Sequence, residues 1–410
     1  MVIVGAGECG ARAASALREA GFGGPVTLIG SEPRHPYERP PLSKEALTQD
    51  EAPSPKWVNM TESFADRQIS CLTGTTAVAL DRQAKTIRLS NGATLAYDRL
   101  LLATGAVPRR LPMAEAMAGR VAYLRTFEDA IGIRRHLLPG KHISIIGGGF
   151  IGLELAASAR QRGADVTIVE AQPRILTRGV PEEIANVVAA RHVAEGARLL
   201  CGHGLSGMVE RADGVDVVLW DGQRIEADVA VIGIGAAPVT GLAEAAGLAL
   251  ENGVAVDECL RTSDPDIFAA GDCCSFPLSI YQGRRIRLES WRNAQDQGAL
   301  AARNMLGAGE AISSVPWFWS DQYDLTLQIA GLSDGASWSV RRDLGGGAFI
   351  LFHFAPDGRL LAASGIGPGS TVARDIRVAE MLIDRRARPE PEKIAAPEVK
   401  LKALLTCQQE

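Results

Sequence analysis

The chain has 410 residues, 46% of them hydrophobic and 22% charged, and carries a formal net charge of −5. That length points to two or three domains with well-filled cores. The slightly acidic balance gives no reason to expect nucleic acid or an anionic membrane as a partner, and no uncharged apolar run is long enough to span a bilayer.

A strand-like run, Val2-Ile3-Val4, opens the chain at once, so a cytosolic protein without a leader is expected. It leads into Gly5-Ala6-Gly7-Glu8-Cys9-Gly10 and an alanine-rich helical stretch, Ala11 to Ala20. A second strand, Val26 to Ile29, ends near Glu32. Gly-x-Gly-x-x-Gly between a strand and a helix is a dinucleotide fingerprint. Next come Arg34-His35-Pro36-Tyr37-Glu38-Arg39-Pro40-Pro41-Leu42-Ser43-Lys44. Each proline sets its own φ and biases its neighbour away from the helical region, which predicts an extended loop. Such a loop can hold Arg39 and Lys44 against a ligand, or can simply be a solvated basic loop.

Residues 51–66 read as a polar surface excursion. Short strands are predicted at Thr75 to Leu80, Thr86 to Leu89 and Arg99 to Leu102, with Asn91-Gly92 as a turn. The last strand ends in Ala103-Thr104-Gly105-Ala106, small residues that let backbone approach a nucleotide. After the connecting stretch that holds Arg125, the pattern repeats. His142 to Ile146 runs into Gly147-Gly148-Gly149-Phe150-Ile151-Gly152, a helix follows over Leu153 to Ala159, and a strand, Val166 to Val169, ends at Glu170. Here strand, turn, helix and acidic residue are all in register. The three glycines serve the tight turn, the close approach to pyrophosphate and the packing of helix on strand. The helix N-terminus offers free N–H groups to phosphate, and Glu170 suits a ribose 2′-hydroxyl while repelling a 2′-phosphate, so NAD is expected over NADP. Val217 to Trp220, Asp221-Gly222 and Ile225 to Val231 read as a hairpin and strand. The unit closes at Val231-Ile232-Gly233-Ile234-Gly235-Ala236-Ala237-Pro238, mirroring residues 103–108. Two such units in one chain suit an oxidoreductase with FAD in the first and NAD in the second.

Asp266 to Asp272 forms a strand that delivers a carboxylate after Gly271; Asp272 could serve a ribitol chain, or be an ordinary turn aspartate. Ser290-Trp291 starts a long helical run to Met305. From Val315 the chain reads as a small α+β domain with an aromatic start, Trp317-Phe318-Trp319, then strands and a helix over Arg374 to Met381; residues after Arg388 read as a tail. The seven cysteines, Cys9, Cys71, Cys201, Cys259, Cys273, Cys274 and Cys407, show neither Cys-x-x-Cys nor a zinc spacing, so reduced packed thiols and no metal site are expected.

Taken together, Val2 to Gly7, Arg39-Pro40-Pro41-Leu42-Ser43-Lys44, Leu101 to Gly105, Leu124-Arg125-Thr126, Gly147 to Glu154, Ala270-Gly271-Asp272 and Phe318-Trp319-Ser320-Asp321-Gln322 resemble the FAD-dependent ferredoxin reductases of oxygenase systems. Putidaredoxin reductase and the reductase components of aromatic-ring dioxygenases belong to that family. The resemblance implies an α/β, glutathione-reductase-like flavoprotein fold: an FAD domain over 1–108 and 240–314, an NAD domain over 109–239, a C-terminal α+β domain over 315–388 and a tail over 389–410.

The resemblance also implies residue roles. FAD would be held by Gly5, Ala6, Gly7, Glu8, Cys9, Gly10, Glu32, Arg39, Pro40, Lys44, Ala77, Ala103, Thr104, Gly105, Arg125, Gly271, Asp272, Ser290 and Trp291. NAD would be held by Gly147, Gly148, Gly149, Phe150, Ile151, Gly152, Glu154, Glu170, Arg178, Gly233 and Gly235. Lys44, paired with Glu154, and Trp319 would serve the reaction itself. A buried charge needs such a partner. The implied activity is NADH:ferredoxin oxidoreduction, with a [2Fe–2S] ferredoxin as partner that feeds a Rieske oxygenase or a cytochrome P450. Arg284, Arg285, Arg287 and Arg292 could face that acidic partner, or be an ordinary solvated cluster. Two alternatives remain at this point. A flavin disulfide or peroxide reductase would need a thiolate beside the flavin, and residues 35–47 contain no cysteine. An NADH-sensing scaffold akin to apoptosis-inducing factor would hold reduced flavin and pass electrons poorly.

Overall fold

The computed structural model describes residues 1–58, 63–115, 117 and 119–405. Cys407 and the end of the expected tail lie outside the described residues, as do residues 59–62 of the surface excursion. The chain separates into two compact units: Met1–Glu38, Pro55–Val107 and Ala237–Pro316 form one, and Arg39–Ser54, Pro108–Ala236 and Trp317–Glu410 form the other.

In the first unit a five-stranded parallel sheet is ordered Ile267–Ala269, Leu100–Leu102, Val2–Val4, Val26–Ile29, Ile69–Leu72. Val2–Val4 and Leu100–Leu102 are buried at every position. Covered on both faces, such strands read as continuous apolar runs rather than alternating ones. The helices Glu8–Glu19 and Trp291–Met305 pack together closely. A Cβ on Gly298 would lie 2.4 Å from the Cys9 carbonyl oxygen, so only glycine allows that approach.

In the second unit another five-stranded parallel sheet is ordered Arg198–Cys201, Asp165–Glu170, His142–Ile146, Val229–Ile232, Val121–Ala122. A three-stranded antiparallel sheet, Leu205–Glu210, Val215–Leu219 and Arg224–Ala227, packs in a shared apolar core with Ile146, Val169 and Ile232. The third sheet is antiparallel and follows the order Trp317–Gln322, Leu325–Gly331, Leu360–Pro368, Ala348–Phe354, Trp338–Gly345. The helix Ala373–Asp384 covers it.

Two expectations change. The segment after Arg388 is expected to hang as a tail, yet Arg342 gathers part of it: its guanidinium donates to the carbonyls of Ile394, Ala396, Pro397 and Val399 and pairs with Asp375 at 3.2 Å. A buried guanidinium needs this many acceptors, and free backbone carbonyls supply them. The proline segment, expected to be extended, forms a 3₁₀ helix at Pro40–Ser43 and a helical turn at Glu45–Thr48. Proline is tolerated in a first turn because its missing N–H has no partner there anyway. No helix among the described residues is long and apolar enough to cross a membrane.

Candidate active site

The two glycine turns have the same anatomy. In the first, Gly5 has φ +115°, and a Cβ on it would fall 2.0 Å from the Ala103 carbonyl oxygen. A Cβ on Gly10 would fall 1.9 Å from the Gly5 carbonyl oxygen. A Cβ on Gly7 would meet nothing within 4 Å. In the second turn Gly147 has φ +111° and stands against the Gly233 carbonyl oxygen, while Gly152 stands against that of Gly147. A Cβ on Gly149, like one on Gly7, would meet nothing. The first and third glycines are thus dictated by the protein's own backbone. The second faces open space at a helix start. Gly7 and Gly149 are also the N-caps of Glu8–Glu19 and Phe150–Gln161, and neither helix has a side-chain cap. Uncapped N–H groups beside an open glycine are what a pyrophosphate fits.

Around the first turn, Tyr37 donates its hydroxyl to Glu32. Thr104 Oγ1 donates to the Val239 carbonyl at 2.6 Å, and Gly105 has φ +70°. Gly271 N–H donates to Gln297 Oε1 at 2.7 Å, and Cys274 Sγ reaches the same oxygen. Gln297 is fully buried, and its Nε2 has no protein partner among the described residues. Ser290 caps the helix that Trp291 begins. Asp272 lies in the 3₁₀ turn Gly271–Cys273, and its carbonyl accepts from Arg287. Glu8 Oε1 accepts from Gln295 at 2.8 Å, and burial pushes its carboxyl above the usual range. Ala77, at the start of Ala77–Asp81, sits at an irregularity in strand pairing. Burial likewise pushes the Cys9, Cys273 and Cys274 thiols up.

Around the second turn, Glu170 accepts two backbone bonds at 2.7 Å, from Gly148 N–H and Gln172 N–H. Phe150 packs on Phe318, with ring centroids 4.3 Å apart, while Ile151 is exposed. Gly235 has φ +105°, and the Arg178 guanidinium lies 3.2 Å from where its Cβ would be.

A third cluster lies in the second unit. Glu154 sits in the first turn of its helix yet is buried. Lys44 Nζ lies 3.5 Å from Glu154 Oε1 and 3.4 Å from Asp321 Oδ2, and stands over the Trp319 ring. Ser43 Oγ–H donates to Glu154 Oε2 at 2.5 Å and Ser320 Oγ–H to Oε1 at 2.6 Å. Trp319 Nε1–H donates to Asp321 Oδ2 at 3.0 Å, and Trp317 stacks on Trp319. Burial pushes the Glu154 carboxyl up, while Lys44 and the two serines pull it back. Arg39 donates to the Arg125 carbonyl.

Arg39, Pro40, Lys44 and Arg125, expected at the first nucleotide, all belong to the second compact unit. Ser43, Ser320 and Asp321 carry no expected role of their own, although Ser43 lies in the Arg39–Lys44 motif and Ser320 and Asp321 in the Phe318–Gln322 motif. Gln297 and Tyr37 gave no signal beyond their place in a helical run and a loop. The basic cluster is largely neutralised within its own unit. Arg285 donates to the Val256 and Ser275 carbonyls and pairs with Glu251, Arg287 pairs with Glu289, and Arg292 faces Asp296.

Residues 1–298 match the family model described as pyridine nucleotide-disulphide oxidoreductase, and residues 317–405 match one described as reductase C-terminal. The chain is 41% identical over 406 residues to the ferredoxin–NAD(+) reductase component of the anthranilate 1,2-dioxygenase system of Burkholderia cepacia, covering 98% of each chain. It is 39% identical to rhodocoxin reductase of Rhodococcus erythropolis, over 93% of this chain and 90% of that one. Among solved structures, the covalent putidaredoxin reductase–putidaredoxin complex matches with a TM-score of 0.92 at 35% identity, over 98% of this chain and 97% of that chain. The chain therefore belongs to the pyridine nucleotide-disulphide oxidoreductase family, among the ferredoxin–NAD(+) reductases of oxygenase systems.

Proposed function

We propose that this protein is an NADH:ferredoxin oxidoreductase that passes electrons from NADH through FAD to a [2Fe–2S] ferredoxin, which feeds a Rieske oxygenase or a cytochrome P450. One observation carries the reading: the match to a ferredoxin–NAD(+) reductase component extends over 98% of the chain, C-terminal residues included. FAD and NAD(H) are its cofactors, and the residues present fit them. Each turn pairs an open second glycine with an uncapped helix start. When bound, the flavin supplies the conversion of a two-electron donor into single electrons for an iron–sulfur carrier.

The rest falls to the chain. Residues 1–108 and 240–314 form the FAD domain, 109–239 the NAD domain, and 315 onward the C-terminal domain, which reaches past residue 388. Gly5, Gly7 and Gly10 shape the FAD turn, with Glu32, Thr104, Gly271, Asp272 and Trp291 around it. Gly147, Gly149 and Gly152 shape the NAD turn. Glu170 accepts from the ribose 2′-hydroxyl, and Arg178, over Gly235, serves the adenosine end. Lys44, held by Glu154 and standing over Trp319, places a positive charge where the nicotinamide reacts. A disulfide reductase would need a thiolate, whereas Cys9 and Cys273 are buried with their thiols pushed up. The cytoplasm is its proposed location, in keeping with the free thiols of Cys9, Cys71, Cys201, Cys259, Cys273 and Cys274.

Anaerobic mixing of the yellow protein with NADH tests the reading. Fast flavin bleaching followed by reduction of an added [2Fe–2S] ferredoxin is expected. Bleaching into a stable complex that reduces none of several ferredoxins overturns it.

A further inference from the structure

The hydrogen bonding of Glu154 does not end at Ser320. Ser320 Oγ accepts from Gln322 Nε2–H at 3.2 Å. Gln322 Oε1 lies 2.8 Å from His192 Nε2, and His192 Nδ1 lies 3.4 Å from the Tyr323 hydroxyl. Ser320, Gln322 and His192 are 1%, 4% and 0% exposed. These groups come from the helix Glu182–Ala194 and from the strand Trp317–Gln322 and the residue after it.

The chain has a direction. A carboxylate only accepts, so the Ser320 hydroxyl points at Glu154 and leaves its lone pairs to the Gln322 amide N–H. The amide oxygen then faces His192, which must carry its proton on Nε2. Nδ1 is left to accept from Tyr323. Burial pushes the His192 pKa down, with Gln322 and Glu195 pulling the other way, in keeping with a neutral ring. Protonating Glu154 would make it a donor. Ser320 could then turn, the amide flip, and the imidazole change tautomer. The chain thus has two self-consistent settings, chosen by the charge on Glu154.

We propose that His192 and Gln322 are positioning residues that fix the hydrogen-bond direction toward Glu154, hold it as a carboxylate, and so keep Lys44 in place. The proposal rests on the reading that Lys44 and Glu154 serve the nicotinamide reaction. Lys44 faces Glu154 from the turn after Pro40–Ser43, and Asp321 of Trp317–Gln322 faces Lys44. At the far end stand Glu195 and Arg191, which pair at 2.9 Å, Asp324, 3.0 Å from Arg191, and Arg160.

The test uses FAD-loaded protein and two readouts. In ¹⁵N-histidine NMR, the resonance lost in His192→Gln is expected to show the neutral Nε2–H tautomer from pH 6 to 9, and to change its tautomer signature in Glu154→Gln. In anaerobic rapid mixing with NADH, Gln322→Met is expected to raise the acidic midpoint of the flavin-reduction rate by about one pH unit, since a donor chain to the carboxylate is cut. His192→Gln, which keeps an N–H donor, should raise it less. An Nδ1–H tautomer, a charged ring above pH 7, or a wild-type pH profile in a folded Gln322→Met protein overturns the proposal. If NADH fails to bleach the wild type, the functional reading falls, while the tautomer result still decides whether the chain exists.

Discussion

Lys44 Nζ lies 3.5 Å from Glu154 Oε1, and Glu154 is only 6% exposed. A carboxylate this buried depends on its partners, because removing one leaves a desolvated charge. Lys44→Ala should slow flavin reduction by NADH at least tenfold while changing FAD affinity much less. It should also lower stability by about 1–3 kcal/mol, discounted because Lys44 is partly exposed. Rapid mixing and denaturant unfolding measure the two effects. An unchanged reduction rate would return Lys44 to the ordinary surface lysines.

The glycines of each turn divide into two kinds, and substitutions should separate them. Gly152→Ala would drive a Cβ to 2.2 Å from the Gly147 carbonyl oxygen. The variant should lose about 2 kcal/mol or more of stability, with or without nucleotide. Gly149→Ala meets open space and should lose clearly less stability, about 1 kcal/mol or below for an alanine at a helix N-cap, yet bind NADH at least tenfold more weakly. Thermal unfolding beside NADH titration distinguishes them; equal melting loss in both would refute the division.

Glu170 is committed on both oxygens, to Gly148 N–H and Gln172 N–H. Glu170→Arg should therefore weaken NADH both by losing the 2′-hydroxyl acceptor and by loosening the turn, and should favour NADPH. The ratio of kcat/KM for NADPH over NADH is expected to rise at least tenfold. No change in that ratio would remove the basis for the 2′-hydroxyl role.

His353 is buried against Ser364, and burial lowers its pKa to about 4. The unfolded chain would titrate near 6.5 and so binds more protons below that pH. The stability linked to His353 is full above pH 6.5 and falls as the pH drops toward 4, by about 3 kcal/mol. Unfolding by urea at pH 7 and pH 4.5 should show this loss, and His353→Gln should flatten it. An equally steep fall in His353→Gln would assign the acid sensitivity to other groups.

Both glycine fingerprints, their strands and their helices were legible in the sequence because they are local. Gly10 meets Gly5 and Gly152 meets Gly147 five positions apart within one turn, whereas Gly5 and Gly147 press on Ala103 and Gly233 far along the chain. The apolar strands Val2–Val4 and Val26–Ile29 declared themselves by composition alone. The Pro40–Ser43 turn was misjudged because proline forbids a helix interior but not a helix start.

What surrounds Glu154 could not be read that way. Ser43, Ser320, Gln322 and His192 come from three distant stretches, and no periodicity links them. The sequence by itself determined two nucleotide-binding turns, since the third glycine of each meets the first within one turn and the first needs a positive φ. The Lys44–Glu154 pair is already expected from the resemblance; only the tertiary structure decided that the carboxylate would also be enclosed by two hydroxyls, one of them backed by an amide and an imidazole. Desolvation makes each partner necessary, and desolvation exists only once the chain has folded around them.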